Sequence, residues 1–312
     1  MKVSNLRFVI IAPTAEVLKW QKAFAAVAPK VHLEEGPKVR QPETVDVLLL
    51  WNHPLGSLKP FSNAKLLYSL GAGVDHLMQD PELPKGIPIC RIVDPLLSFS
   101  MSNYILFAIL HFHRRWKKYV HDKENCIWDH DSFPERRIKI GILGLGTLGQ
   151  DAAKKLQFMG FDVVGYSPSK KVLPGMTTYA EGEMNNFLST INVLVCTVPY
   201  TPATHGLLAL PVFEQLQHPA CLINVARGKV QVEADILKAL DKGLLEEAFL
   251  DVFETEPLPK DSLLWSHPKV EITPHIASVT NPQAGATQML ENVERLLRQT
   301  PLEHLVNSTK GY

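Results

Sequence analysis

The sequence predicts an α/β protein of about two domains, built on parallel sheets wound on both faces. Three observations lead there. A chain of 312 residues that is 46% hydrophobic and 21% charged is ample for two packed cores. Short β-rich runs alternate with helically spaced segments along most of its length. A G-x-G-x-x-G loop directly follows one of those runs and opens a helix.

In chain order, RFVIIAP, VDVLLLW, AKLLYSL and IPICRIV read as strands, with AEVLKWQKAFAAVA as an intervening helix. MSNYILFAILHFHRRW follows, with Met101, Tyr104, Ile105, Ala108, Ile109, Phe112 and Trp116 at i+3/i+4 spacing. That spacing predicts one long amphipathic helix bridging two domains. The arm KKYVHDKENCIWDHDSFPERR carries mixed charges and reads as a solvated face or subunit contact. The alternation restarts with strands at IKIGIL, FDVVGY, NVLVCTVP, CLINVA, AFLDVF and VEITPH. A last helix begins at Pro282, capped by Thr280 or Asn281, with Ala286, Met289, Leu290, Val293, Leu296 and Leu297 as its apolar stripe. If both long helices cross between lobes, residues 1–98 plus 279–312 form one domain and 99–278 an inserted dinucleotide domain.

Lys plus Arg and Asp plus Glu both total 32, so the zero net charge gives no electrostatic reason to expect nucleic acid or an anionic membrane as partner. Cys90, Cys126, Cys196 and Cys221 show no metal-ligand or CxxC spacing, which argues for reduced thiols and no metal site. The apolar FVIIA stops at Pro13, short of a signal-peptide core. No apolar run is expected to approach the ~18 residues of a membrane helix, and the cytoplasm is the default location.

In GILGLGTLGQ, Gly144, Gly146 and Gly149 fit the dinucleotide fingerprint in its strand–loop–helix context. They permit a tight turn and close backbone approach, so the helix N-terminus can hold a pyrophosphate. An acid about 20 residues on would normally bind the ribose 2′-hydroxyl. Here VVGYSPSKK supplies Ser167, Lys170 and Lys171 instead, which favours a 2′-phosphate, hence NADP over NAD. The alternative is a surface turn with two solvated lysines.

Arg227 in NVARG, Glu256 in DVFETEPLP and His275 in ITPHIAS fall at or just beyond predicted strand ends, where ligands sit in open α/β sheets. Singly they read as a surface ion pair, a loop acid and a capped or buried histidine. Together they supply what reduction of a 2-oxo acid needs. Arg227 can anchor a carboxylate, His275 can give a proton to the carbonyl oxygen, and a hydrogen-bonded Glu256 would favour the imidazolium.

With VPYTPATHGLL, NVARG, DVFETEPLP and TPHIAS following the glycine loop in that order, the chain resembles the D-2-hydroxyacid dehydrogenase family. LGAGVDHL, LLWSHPKVEITPH and the terminal GY resemble its glyoxylate/hydroxypyruvate reductase A branch. The resemblance implies two Rossmann-like doubly wound domains with an interdomain cleft, the first flavodoxin-like and substrate-binding. It implies NADPH as cofactor, with NADH weaker, and reduction of glyoxylate to glycolate or hydroxypyruvate to glycerate by Arg227, Glu256 and His275. It carries substrate-carboxylate binding onto the backbone of Ala72, Gly73 and Val74, which otherwise read as a tight glycine turn, and a pocket wall onto Trp51, which otherwise reads as core. Cofactor contacts map onto Leu148, Ser167, Lys170, Lys171, Val198, Pro199, Thr204, Ala226 and Asp251, the last at the nicotinamide amide. A homodimer is implied by analogy.

Two positions depart from the family pattern. Pro168 stands where relatives often carry arginine, leaving the 2′-phosphate to Ser167 and the lysines. Asn103 stands where a glutamate is common in what reads as the first turn of the long helix. A nucleotide-sensing binding protein on the same scaffold is the alternative function, although its expected mark, loss of one of the three catalytic positions, is missing. A methyltransferase would leave Arg227, Glu256 and His275 without a purpose.

Overall fold

Runs of β-branched and leucine residues too short for helices, such as FVII and VLVC, form strands buried on both sides, which a parallel sheet covered by helices requires. The computed structural model of the protein describes residues 2–307, so the terminal GY lies outside the described residues. The chain divides into two units. One runs to Leu97 and resumes at Val279; the other is Ser98–Ser278.

The first unit contains β1 (Phe8–Ile11), α1 (Thr14–Val27), β2 (Leu33–Glu35), β3 (Val47–Leu50), β4 (Leu66–Ser69), α2 (Asp75–Met78) and β5 (Ile89–Arg91). All pairings are parallel in the order β2-β1-β3-β4-β5, the flavodoxin-like winding. Strand alternation sends Val9, Ile11, Leu48, Leu50 and Leu67 to one apolar cluster. On the opposite face Phe8 meets Phe24 of α1, with ring centroids 6.0 Å apart.

The second unit opens within α3 (Pro95–His113), followed by α4 (Trp116–Glu124), β6 (Lys139–Leu143), α5 (Thr147–Phe158), β7 (Asp162–Tyr166), β8 (Thr177–Tyr179), α6 (Met184–Leu188), β9 (Val193–Cys196), α7 (Leu210–Phe213), β10 (Cys221–Asn224), α8 (Glu233–Asp241), β11 (Glu247–Leu250) and β12 (Val270–Ile272). Its seven parallel strands run β12-β11-β10-β9-β6-β7-β8, with the order reversing between β6 and β9. Val193, Val195 and Ile223 face α3 and α5, while Leu194, Cys196 and Leu222 face α6 to α8, so both sides of the sheet are dry. The chain then returns to the first unit as α9 (Pro282–Arg298). Asn281 caps this helix by accepting from the N–H groups of Gln283 and Ala284. Gly285 lets it pack tightly, since a Cβ there would lie 2.6 Å from Trp20 of α1.

The long helix departs from expectation at its start. It begins at Pro95, where Asp94 Oδ1 accepts from the Leu96 N–H at 2.9 Å, and Asn103 therefore sits well past the first turn on an exposed face. At this length α3 is apolar enough to cross a membrane by composition, with mean hydropathy 1.3, contrary to the expectation that no run approached that limit. Met101, Ile105, Ala108, Ile109 and Phe112 are nevertheless buried against the sheet of the second unit, which is the packing of a core helix. Part of the expected polar arm is helical. Arg115, with φ 56°, breaks the chain direction, and α4 follows with Lys118 paired to Asp122 one turn on and to Asp129 at 2.7 Å.

Candidate active site

In the second unit the expected site residues gather at the carboxyl ends of strands or in the loops beyond: the glycine loop after β6, Ser167 after β7, Val198 after β9, Arg227 after β10, Glu256 after β11 and His275 after β12. Each glycine of the loop has its own reason. Gly144 has φ +108°, and a Cβ would meet Val198 N at 2.9 Å; at Gly149 one would lie 2.0 Å from the Gly144 carbonyl oxygen. Gly146 is exposed and borders open space, so its missing side chain clears an approach to the backbone. Helical bonding begins with the Gln150 N–H to Gly146 O, which leaves the preceding N–H groups for an anion. This cradle fits a dinucleotide pyrophosphate.

Ser167 is buried, and its hydroxyl donates to Ser169 O at 2.7 Å. The two lysines separate. Lys171 Nζ reaches the glycine loop, donating to Leu145 O at 2.6 Å, whereas Lys170 turns to Thr178 O at 2.6 Å and Glu183 at 3.3 Å. Lys171 is thus the better placed cation for a phosphate beside Gly146. After β9, the Thr197 hydroxyl donates to Gly144 O at 2.7 Å and fastens the glycine loop to the Val198–Pro199 segment. Thr204 in turn donates to Pro199 O at 2.7 Å.

Arg227, Glu256 and His275 converge. Gly228 is the device that brings the Arg227 turn onto the loop beyond β11: a Cβ there would overlap the Phe253 carbonyl at 1.8 Å. Buried Asn224 accepts the Ala226 N–H at 3.0 Å and donates to Gln231, and Gln231 holds Val252 O at 3.0 Å, locking the two loops together. Glu256 Oε1 accepts from the Phe253 N–H at 3.0 Å, and its Oε2 meets His275 Nδ1 at 2.8 Å. Burial raises the Glu256 pKa, but the His275 hydrogen bond and charge, the Phe253 N–H and the Arg227 charge together hold it below the ordinary carboxylate value.

His275 occupies the left-handed region with φ 57°, a conformation that costs a non-glycine residue about 1–3 kcal/mol. Asp251, almost wholly buried, holds it there. Its carbonyl accepts the His275 N–H at 2.8 Å, Oδ1 accepts the Ile276 N–H at 2.8 Å, and Oδ2 accepts the Ala277 N–H at 2.8 Å. The Thr273 hydroxyl adds a bond to Oδ1 at 2.6 Å and lies 2.6 Å from the Tyr104 hydroxyl of α3. Asp251, expected at a nicotinamide amide, is thereby also the clamp of the His275 loop. Thr273 and Tyr104 were not expected in the site, because neither spacing nor residue type links α3 to the end of β12.

In the first unit, Trp51 lies against the loop after β4, since a Cβ on Gly71 would meet its ring at 2.5 Å. Its ring also packs edge-on to His76, with centroids 5.0 Å apart. Trp51 thus packs against Gly71 and His76, the residues on either side of the Ala72–Val74 segment. The N–H groups of Ala72, Gly73 and Val74 have no acceptor among the described residues.

A sequence model of the D-isomer specific 2-hydroxyacid dehydrogenase NAD binding domain matches residues 106–277, more than half of the chain. The chain belongs to the D-isomer-specific 2-hydroxyacid dehydrogenase family. Among D-2-hydroxyacid dehydrogenases of named activity, it is 36% identical to a glyoxylate/hydroxypyruvate reductase A of Escherichia fergusonii over 96% of this chain and 98% of that one. It is similar to the NADPH-dependent glyoxylate/hydroxypyruvate reductase of Sinorhizobium meliloti solved with NADP and sulfate: TM-score 0.91, 34% identity, 98% of this chain and 100% of that one. A D-isomer specific 2-hydroxyacid dehydrogenase from Xanthobacter autotrophicus Py2, solved with NADPH and MES, also gives TM-score 0.91 at 35% identity, covering 98% and 99%.

Proposed function

We propose that this D-2-hydroxyacid dehydrogenase is an NADPH-dependent reductase of small 2-oxo acids, converting glyoxylate to glycolate and hydroxypyruvate to glycerate. The observation that carries this reading is the His275–Glu256 pair at 2.8 Å with the Arg227 charge beside it, beyond the carboxyl ends of the same parallel sheet as a glycine loop shaped for a dinucleotide. The Gly144–Gly149 loop would hold the pyrophosphate of NADPH, which would supply the hydride needed at the carbonyl carbon. The chain's own residues do the rest. Arg227 anchors the carboxylate and offsets the charge that grows on the carbonyl oxygen. Glu256 holds Nδ1, fixing the ring and leaving Nε2 to carry the transferred proton. In the first unit, the amides of Ala72, Gly73 and Val74 take the substrate carboxylate, and Trp51 bounds the space for the rest of a small substrate.

NADPH is favoured over NADH because Ser167 follows β7 in place of an acid that would repel a 2′-phosphate, and Lys171 stands at the glycine loop. With Pro168 in place of an arginine, recognition rests on these two groups. A homodimer is supported by apolar side chains exposed between Phe107 and Phe133, with Trp128 92% accessible. A cytoplasmic location is part of the same proposal. A non-catalytic sensor would have no use for a proton donor pinned in a left-handed turn.

The experiment follows reduced-nicotinamide absorbance with NADPH and NADH in parallel, against glyoxylate, hydroxypyruvate, pyruvate and phenylpyruvate. Turnover with NADPH and the two small acids is expected. No oxidation with any pair ends the reading.

A further inference from the structure

The loop after β4 presents three consecutive peptide units with the same asymmetry. The Gly71 carbonyl accepts the Ile92 N–H at 3.2 Å, the Ala72 carbonyl accepts from Arg91 Nη1 at 3.0 Å, and the Gly73 carbonyl accepts the Ser69 hydroxyl at 2.6 Å. The N–H groups at the other ends of the same peptides, on Ala72, Gly73 and Val74, have no acceptor among the described residues. These peptides are trans, so each N–H points opposite to its carbonyl. Each N–H is therefore aimed away from the group that holds its own carbonyl. Backbone donors left unpaired in a partly buried loop are rare, and a run of them forms an anion-binding concavity.

We propose that Ser69 and Arg91 are positioning residues for the carboxylate of the 2-oxo acid, acting through the Gly73–Val74 and Ala72–Gly73 peptides without needing to touch the substrate. The inference rests on the reading that this loop takes the carboxylate. Ser69 is the last residue of β4, is fully buried, and also accepts the Gly71 N–H at 3.4 Å, so one hydroxyl braces both ends of the turn. Arg91 ends β5 and pairs in register with Ser69. Its guanidinium has no carboxylate partner within ion-pair distance among the described residues, and burial pushes its pKa down. A cation kept partly dry without a counter-charge polarises the carbonyl it bonds, which makes the Gly73 N–H a stronger donor. Such donors, already oriented before substrate arrives, need no reorganisation on binding.

The test uses the full-length enzyme loaded with NADPH and four variants: Ser69→Ala, Ser69→Thr, Arg91→Met and Arg91→Lys. Two quantities are read, the split between KM and kcat for glyoxylate and the affinity for oxamate, an unreactive carboxylate analogue. Ser69→Ala and Arg91→Met are expected to raise KM and weaken oxamate about 10-fold each, with kcat within about 3-fold and NADPH affinity unchanged. Arg91→Lys and Ser69→Thr, which keep a donor, are expected to recover part of the loss. Unchanged KM and oxamate affinity in both truncations overturn the proposal. So does an equal fall in kcat without a change in KM, or the absence of any recovery by the conservative pair. If one truncation fails to fold, the Lys and Met variants at Arg91 or the Thr and Ala variants at Ser69 still decide it. A wild type that reduces neither glyoxylate nor hydroxypyruvate removes the function, whereas an active wild type with indifferent variants removes only the positioning role.

Discussion

His275 is held by bonds from three directions: Glu256 on its ring, Asp251 on its N–H, and the two N–H groups after it on the Asp251 carboxylate. Replacing it with glutamine keeps a side chain of similar reach but removes the proposed proton donor. His275→Gln is expected to lower kcat by about 10²–10⁴ while NADPH affinity, measured by fluorescence titration, stays largely the same. Retained turnover would count against the acid role. Arg227→Ala is expected to raise KM and lower kcat together, for a loss of about 10²–10³ in kcat/KM, since in the proposed mechanism the guanidinium anchors ground and transition states alike. The Glu256 carboxyl, held below its ordinary value of 4.5, contributes stability that is present above about pH 4.5 and lost as pH falls through its folded value. The Tm gap between wild type and Glu256→Gln should accordingly be largest near neutrality and close on acidification. A gap independent of pH would mean the carboxylate is not stabilised as described.

At the scale of elements, the site depends on close approaches that a single methyl group would spoil. Gly149→Ala would push α5 off the Gly144 carbonyl, and we expect NADPH affinity to fall at least about 10-fold, with stability lowered by about 1–3 kcal/mol. Binding within about 2-fold of wild type would show that the loop does not carry the pyrophosphate. Tyr104→Phe removes one hydroxyl from the chain that ends on Asp251. Burial pushes that hydroxyl up to about 12, so it remains a donor across the working range, and the variant should lower kcat more than it changes NADPH affinity. The elements themselves were mostly legible. β6, the glycine loop and α5 were readable because a strand run, a fixed glycine spacing and a helical stripe adjoin. The short edge strands β2 and β8 carry LEE and TTY, and nothing in such triplets outweighs the loops around them. The start of α3 was missed because Ser98 and Ser100 interrupt the apolar spacing after Pro95, and α4 because its residues are mostly polar.

For the whole molecule, two parallel sheets of five and seven strands are formed, and the second brings the glycine loop, Arg227, Glu256 and His275 to the carboxyl ends of its strands. Apolar groups outside any core cluster, Phe107, Trp116, Ile127, Trp128 and Phe133, lie in α3, α4 and the arm that follows. The proposed homodimer would cover them with a second copy, and light scattering should then give twice the mass of 34.9 kDa. Trp128→Ser combined with Phe133→Ser should shift the population toward monomer as the protein is diluted. A wild type that is monomeric at all concentrations would leave that surface without its occupant.

What the sequence determined by itself was local. Strand and helix periods, the glycine spacing at 144–149, the serine in place of an acid at 167, and the identities of Arg227, Glu256 and His275 each lie within a short window of chain. Tertiary structure decided how those groups are held. Tyr104 reaches Thr273 across 169 residues, Gly228 is set by Phe253, and the carbonyls of the Ala72 loop are fastened from the end of a neighbouring strand. The physical reason is that a hydrogen bond between distant segments leaves no periodic trace in sequence, because its partners meet only after the sheet has placed their strand ends side by side.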